Sequence, residues 1–185
     1  MSDPSFTSLQ YEIEGHTAKI ILDRPPANLI DRDMTLEYHK ALRQADADPN
    51  VRVIVLAGNG PGLSGGVDLK YLEDFNSSEM KEFLRLFYVG TMDIVRGLSK
   101  PIIAAVHGYA REGACTLAFA CDMIIAADDA DFGYPGVPNL AAPPGMHVWI
   151  LQRLIGRMKA AELIFTGKSL GAAQAERMGL ITKVV

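Results

Sequence analysis

The segment PIIAAVHGYAREGACTLAFACDMIIAAD, residues 101–128, contains two continuous apolar runs separated by a turn with glycine and a mostly apolar stretch. Continuous apolar runs of this length are typical of strands that helices cover on both faces of a parallel sheet. Residues 107–122, which lie between the runs, predict a buried helix. The segment therefore predicts a strand, a helix and a second strand, the repeating unit of an α/β fold.

Strand and helix patterns alternate along the rest of the chain. Alternating stretches on both sides of Gly15-His16 predict a hairpin. Asp31 is a candidate cap for a helix over residues 34–48, and Asn76 with Glu79 resembles a capping box for a long helix. We therefore predict an α/β fold with mainly parallel strands in a single domain, residues 1–185. Further strands are predicted at VRVIVLAG and LITKVV, helices at 146–155, 157–165 and GAAQAERMG, and a loop at DFGYPGVPNLAAPPG.

The composition is that of a soluble globular protein. The 185 residues are 49% hydrophobic and 22% charged, with a net charge of −4, which argues against a disordered or nucleic-acid-binding chain. The apolar runs are far shorter than the roughly 20 residues of a membrane-spanning helix. No secretory signal is recognised at the N-terminus, so a cytoplasmic location is expected. Cys115 and Cys121 are predicted to face different sides of one helix and to remain unpaired.

Two glycine-rich loops follow predicted strands and are the first candidates for chemistry. Gly60, Gly62 and Gly65 literally satisfy G-x-G-x-x-G, yet the acidic residue on a second strand and the phosphate-loop lysine are missing, which argues against nucleotide binding. Glycines let a ligand approach backbone N–H groups closely. Two such loops could aim two donors at one oxygen and form an oxyanion hole, although plain turns are the simpler alternative.

Four blocks of the sequence resemble the signature blocks of the crotonase superfamily, the enoyl-CoA hydratase and isomerase family. They are LDRPPANLID (22–31), LSGGVDLK (63–70), residues 101–137 and residues 163–185. The resemblance covers residues 9–185. It implies a spiral of strand-strand-helix turns that binds an acyl-CoA thioester, with coenzyme A as part of the substrate and no further cofactor or metal.

The resemblance also implies roles for individual residues. The oxyanion donors of the family correspond to Gly65 and Gly113. The two catalytic glutamates of family hydratases are absent, because Thr116 and Gly136 occupy their positions. Ordinary hydration through that pair of carboxylates is therefore in doubt. Contacts to coenzyme A are implied for Arg24, Ala27, Ser64 and Asp68.

Several polar residues near these positions could replace the missing carboxylates. Glu112 lies four residues before Thr116, which predicts the same helical face for both. It is either an acid/base or only a negative charge that interacts favourably with the helix dipole. In the second case the dipole would lower the pKa of its carboxyl group. Tyr134 and His147 are possible acids or hydrogen-bond donors. Arg111 could contact a substrate carboxylate or a coenzyme A phosphate, or be solvated.

The remaining titratable residues are expected to be structural or solvated. His16 and His39 are predicted to be exposed and His107 structural. The acidic cluster is predicted to be a solvated strand end rather than a metal site; it comprises Asp122, Asp128, Asp129 and Asp131.

The leading hypothesis is an acyl-CoA-processing hydratase or isomerase with a non-standard acid/base such as Glu112. One alternative is a decarboxylase or carbon-carbon lyase of the same family. A different class is a catalytically silent subunit that binds coenzyme A esters or serves in assembly. Residues 1–185 do not include the family's usual C-terminal helical segment, so we expect either a truncated or cleaved form of the chain or a pocket that a neighbouring subunit completes. The apolar surface left exposed predicts a homo-oligomer, a trimer or hexamer, with no nucleic-acid or membrane partner.

Overall fold

The computed structural model describes residues 6–137 and 147–185, and in these ranges ten strands form two sheets. The larger sheet has the order β1-β2-β3-β5-β7-β10, and the smaller has the order β4-β6-β8-β9. The strands are β1 (Leu9–Glu14), β2 (Thr17–Leu22), β3 (Val53–Gly58), β4 (Gly62–Ser64), β5 (Ile102–Val106), β6 (Tyr109–Arg111), β7 (Met123–Ala126), β8 (Asp131–Gly133), β9 (Leu170–Gly171) and β10 (Lys183–Val184).

From β3 onward, successive strands alternate between the two sheets. β1 and β2 form the predicted antiparallel hairpin, and β2, β3, β5, β7 and β10 are parallel neighbours. β3 passes to β4, β5 to β6 and β7 to β8, so each long strand of the larger sheet is followed by a short strand of the smaller one. The predicted α/β spiral of strand-strand-helix turns is confirmed.

Helices follow the strand pairs and begin at the expected caps. Asp31 accepts the Met34 N–H at 2.9 Å, and Asn76 with Glu79 forms the capping box, so both predicted N-termini are confirmed. The helices are α1 (Arg32–Ala47), α2 (Leu69–Leu72), α3 (Ser77–Leu84), α4 (Thr91–Gly97), α5 (Gly113–Ala120), α6 (His147–Ile155), α7 (Arg157–Thr166) and α8 (Ala172–Arg177). A π-helical stretch, Arg85–Gly90, joins α3 to α4.

Two short strands correct the sequence prediction. Residues 109–111 lie in β6 rather than in a helix, and α5 begins only at Gly113. Residues 131–133, predicted as loop, form β8. β6 pairs in parallel with both β4 and β8. Three residues are too few to show an alternating pattern, so these strands exist because distant partners pair with them.

Glycines at the starts of β4 and β6 allow these two parallel strands to approach each other closely. Gly62 and Gly108 form an isolated bridge. A β-carbon at Gly108 would lie 2.0 Å from the Pro61 carbonyl oxygen, and Gly108 has a φ of +54°. Only glycine can therefore occupy position 108. The contact places the start of β6 beside the start of β4.

His39 is buried, not exposed as predicted. Its Nε2 atom lies 2.9 Å from the Thr91 hydroxyl oxygen, and the ring is 3% exposed. Burial lowers the pKa of His39 to about 4, so the ring is neutral at pH 7. The apolar pattern of α1 did not predict the burial of His39, because the residue is buried by contact with Thr91 of α4.

Cys115 is buried and Cys121 is partly buried, and both are free thiols. Among the described residues, no helix combines the length and apolar character that crossing a membrane would require.

Candidate active site

The candidate site lies where the loops after β4 and β6 meet. Because β4 and β6 are parallel neighbours, their carboxyl ends lie at the same edge of the smaller sheet. Gly66, with a φ of +95°, brings the loops together: a β-carbon there would lie 2.8 Å from the Arg111 carbonyl oxygen and 2.9 Å from the Glu112 Cβ. Backbone from one loop therefore packs directly on the other.

The N–H groups of Gly65 and Gly66 both have acceptors within the protein. Gly65 donates to the Ala27 carbonyl at 2.8 Å. Gly66 donates to the Ser64 hydroxyl at 3.0 Å. The Gly65 N–H, which the sequence predicted as an oxyanion donor, is therefore directed at Ala27 rather than at open space.

Val67 presents the next backbone N–H of the same loop. Ile30 donates to the Gly66 carbonyl and accepts from the Asp68 N–H, each at 2.8 Å. In such a parallel bridge the intervening residue turns its own N–H to the opposite side, so the Val67 N–H points away from Ile30. Val67 also packs against the start of α5, because its Cγ2 atom lies 3.1 Å from the position of a β-carbon on Gly113.

Gly113 is the first residue of α5, where a helix leaves its N–H groups without intrahelical partners. A β-carbon here would lie 2.9 Å from the Phe87 ring. Bare backbone is therefore required at this position. Among the described residues, neither the Gly113 N–H nor the Val67 N–H has a hydrogen-bond acceptor.

Glu112 connects β6 to α5 in a left-handed backbone conformation, with a φ of +49°. Its N–H donates to the Gly133 carbonyl at 3.0 Å. Its carboxylate turns towards the loop after β8, where Oε1 accepts the Gly136 N–H at 2.5 Å. A β-carbon on Gly136 would lie 3.0 Å from that oxygen. The Glu112 carboxylate therefore lies against the backbone of Gly136, where the resemblance had placed a missing glutamate.

Burial raises the pKa of the Glu112 carboxyl above its ordinary value of 4.5, although the Gly136 N–H and the Arg111 charge act in the opposite direction. The expectation that the helix dipole lowers this pKa is wrong. Loss of contact with water outweighs the favourable charges. The carboxylate of Glu112 is therefore more basic than a solvated one.

Two tyrosines lie close enough to Glu112 for its negative charge to raise their pKa values. Tyr134 is buried, and burial together with Cys115, Tyr88 and Glu112 raises its pKa well above the ordinary value. Burial and the Glu112 charge also raise the pKa of Tyr88. Both phenols stay protonated at neutral pH and can donate hydrogen bonds. Sequence reasoning missed Tyr88, since only the π-helical stretch turns it towards the site.

Thr116 lies one turn into α5 and is completely buried. Its hydroxyl has no hydrogen-bond partner among residues 6–137 and 147–185. His147 begins α6, but its side chain lies outside the described part, so its predicted role stays a prediction.

The four predicted coenzyme A contacts lie together beside the first loop. Arg24 is held between Asp68 at 3.0 Å and Asp31 at 3.1 Å. The Ala27 carbonyl accepts the Gly65 N–H. The Ser64 hydroxyl donates to the Asn28 carbonyl at 2.6 Å and is fully buried, so in this structure it holds the loop.

Arg111 and the acidic cluster have structural partners. Arg111 donates to the Asp131 carbonyl at 2.9 Å and pairs with its carboxylate, although its side chain is still partly exposed. Asp122 accepts the Ile102 N–H at 2.8 Å. The predicted solvated strand end is thus partly a set of internal hydrogen bonds. Within the described ranges, no group of three histidine, cysteine or acidic side chains could hold a metal ion.

Comparison with known proteins shows which family this sequence matches. The family model for enoyl-CoA hydratase/isomerase matches residues 12–185. A probable enoyl-CoA hydratase of Rhizobium meliloti is 40% identical over 185 residues, covering 98% of this chain and 70% of the relative. A crotonyl-CoA hydratase of Syntrophomonas wolfei is 34% identical over 184 residues, with 98% and 70% covered.

Solved structures of proteins described as enoyl-CoA hydratases have the same fold as this chain. An enoyl-CoA hydratase subunit from Geobacillus kaustophilus superimposes with a TM-score of 0.89 at 35% identity. The match covers 97% of this chain and 69% of that one. The fold described above is therefore shared over almost the whole of this chain.

Proposed function

Because this chain belongs to the enoyl-CoA hydratase/isomerase family, we propose that it binds an acyl-CoA thioester and moves a proton at the α-carbon with Glu112 as the acid/base. One observation carries this proposal: the carboxylate of Glu112 is half-buried, has a raised pKa and accepts the Gly136 N–H. A base that must act near neutral pH gains from such a shift.

The oxyanion hole of this proposal uses the N–H groups of Val67 and Gly113. We assign the first donor to Val67 rather than Gly65 because the Gly65 N–H is engaged by Ala27. Two donors aimed at the thioester oxygen stabilise the negative charge that develops when the α-proton leaves. The resulting enolate can be protonated again at the α-carbon or, in an enoyl chain, at the γ-carbon.

A carboxylate is costly to desolvate, and carboxyl groups whose pKa is raised by burial are often found at functional sites. A silent binding subunit would gain nothing from a half-buried carboxylate beside two N–H groups that have no acceptor among the described residues. The decarboxylase alternative requires no base at this position, because loss of carbon dioxide itself leaves the enolate. The surroundings of Glu112 therefore favour proton transfer.

The rate of α-hydrogen exchange is expected to depend on pH through Glu112. A raised pKa keeps the carboxyl protonated, and inactive as a base, at pH values where an ordinary glutamate is ionised. The rate should therefore fall as pH falls, with a midpoint above 4.5. Deuterium uptake by butyryl-CoA in D₂O, followed by mass spectrometry from pH 4 to 8, measures this. Equilibrium dialysis of butyryl-CoA over the same range is the control, and a constant rate with constant binding contradicts the role.

We also propose that the chain associates with itself through the exposed face of α7. Met158 and Phe165 are 74% and 71% exposed and lie seven residues apart, on one helix face. Light scattering should give a multiple of the 20.1 kDa chain mass for the wild type. Met158→Ser with Phe165→Ser should reduce that mass, while Lys159→Ser, on the same helix, should leave it unchanged. A monomeric wild type would refute this proposal.

A further inference from the structure

His39 of α1 supports the π-helical stretch Arg85–Gly90 at its C-terminal end. Its Nε2 atom lies 2.9 Å from the Thr91 hydroxyl oxygen. A β-carbon on Gly90 would lie 3.2 Å from its Cε1 atom. The ring therefore lies directly against the backbone where the stretch ends and α4 begins. Stretches of this kind are rare, and they frequently lie at functional sites.

The backbone of Thr91 connects this contact to Phe87. The Thr91 N–H donates to the carbonyl groups of Phe87 and Tyr88, which closes the last turn of the stretch. The Phe87 ring is buried, with 1% exposed. Its Cε1 atom lies 2.9 Å from the position that a β-carbon on Gly113 would occupy. The contacts therefore form an unbroken series between the His39 ring and the Gly113 backbone.

The Phe87 ring limits where the first turn of α5 can lie. Nothing separates this ring from the Gly113 backbone, because even a β-carbon would not fit between them. A close-packed interior transmits small displacements from one group to the next. A hydrogen bond weakens steeply as its donor turns away from the acceptor. A displacement of Phe87 would therefore turn the Gly113 N–H and weaken its bond to the thioester oxygen.

We propose that His39 is a positioning residue, which holds the Gly113 N–H in its direction through the π-helical stretch. This inference rests on the proposed function, since it takes Gly113 as an oxyanion donor. An apolar side chain could fill the same space, but the hydrogen bond to Thr91 also fixes the orientation of the ring. Buried polar groups that are fully paired make a core rigid and specify a single arrangement.

Thr91→Val tests this role, because valine keeps the shape and removes the hydroxyl that His39 contacts. The rate of α-hydrogen exchange at saturating butyryl-CoA should fall about tenfold, part of the loss of about 10²–10³-fold that removing an oxyanion donor causes. KM should stay unchanged, because the donor acts on charge that develops only in the transition state. Thr91→Ser, which keeps the hydroxyl, should restore most of the rate.

Thr35→Val is the matched control. Thr35 is equally buried on α1, and its hydroxyl donates to the Asp31 carbonyl at 2.6 Å. Thr35→Val and Thr91→Val should each lower the unfolding midpoint by about 2–4 °C, because each loses one buried hydrogen bond. Only Thr91→Val should exchange more slowly. Equal exchange rates in the two variants would mean that the contact with His39 contributes only to stability, and the inference would be wrong.

Phe87→Leu tests whether the effect passes through Phe87. This variant loosens the contact with Gly113 and should itself lower the exchange rate about tenfold. Adding Thr91→Val should then lower the rate by less than about twofold more, because both changes act on the same donor. Independent effects would multiply to a loss of about 100-fold. A product of that size would overturn the inference.

Gly90→Ala keeps the inference testable if Thr91→Val does not fold. The backbone of Gly90 is helical, with a φ of −60°, so alanine fits it, but the new β-carbon would displace the His39 ring by a few tenths of an ångström. The exchange rate should fall about threefold at unchanged KM, and the wild-type rate would contradict the inference while leaving the proposed function intact. A wild type that binds butyryl-CoA without exchanging its α-hydrogen refutes the proposed function, and the inference with it.

Discussion

Glu112→Gln should lower the rate of α-hydrogen exchange by about 10²–10⁴-fold, the usual contribution of a general acid/base. Glutamine has the same shape, and its amide oxygen can still accept the Gly136 N–H that Oε1 accepts in the wild type. It cannot take a proton from carbon. Folding should be unaffected or slightly stabilised, because a partly buried charge is removed.

The measurement is deuterium uptake by butyryl-CoA in D₂O at pH 7, with dialysis to show that binding remains. Glu162→Gln is the matched control, since the side chain of Glu162 is exposed and pairs with Lys159 at 2.9 Å. This control should exchange at the wild-type rate. Exchange at the wild-type rate in Glu112→Gln as well would exclude Glu112 as the base.

Gly108→Ala should lower the free energy of unfolding by about 3–5 kcal/mol, the range of severe steric substitutions. The new β-carbon would lie 2.0 Å from the Pro61 carbonyl oxygen, and the backbone would keep a φ of +54°. Neither backbone can move freely, because β4 and β6 pair with each other in the smaller sheet. The same displacement should separate the two loops that carry Val67 and Gly113, so α-hydrogen exchange should be lost too.

Urea unfolding followed by circular dichroism measures the change in stability. Gly15→Ala is the matched control, because Gly15 has a φ of +58° and nothing within 4 Å of an added β-carbon. It should lose only about 1 kcal/mol, the conformational cost alone. If both variants lost the same free energy of unfolding, the backbone around Gly108 and Pro61 would be able to shift and relieve the contact.

Elements with local causes were predictable. The β1–β2 hairpin, the caps at Asp31 and Asn76 and the apolar strands of the larger sheet arise from patterns within a few residues. The positions of Gly113 and Thr116 in the first turn of α5 follow from their spacing. These features depend on contacts that sequence neighbours make with each other.

Features with distant causes were not predictable. β6 and β8 each have three residues and are strands only because they pair with each other and with β4 and β9. His39 is buried by Thr91, 52 residues away. The Gly65 N–H is directed at the carbonyl of Ala27, which lies in the segment between β2 and α1. Patterns along the chain contain no information about such partners.

The sequence by itself determined the fold class, the two glycine-rich loops and the replacement of both family glutamates by Thr116 and Gly136. Only the tertiary structure decided that the Glu112 carboxylate lies against Gly136, 24 residues along the chain, that its pKa is raised, and that Val67 offers the open N–H of the first loop. The physical reason is that burial, pKa and the direction of an N–H group are set by atoms that folding brings close from distant segments, whereas residue types and short-range periodicity are already present in the unfolded chain.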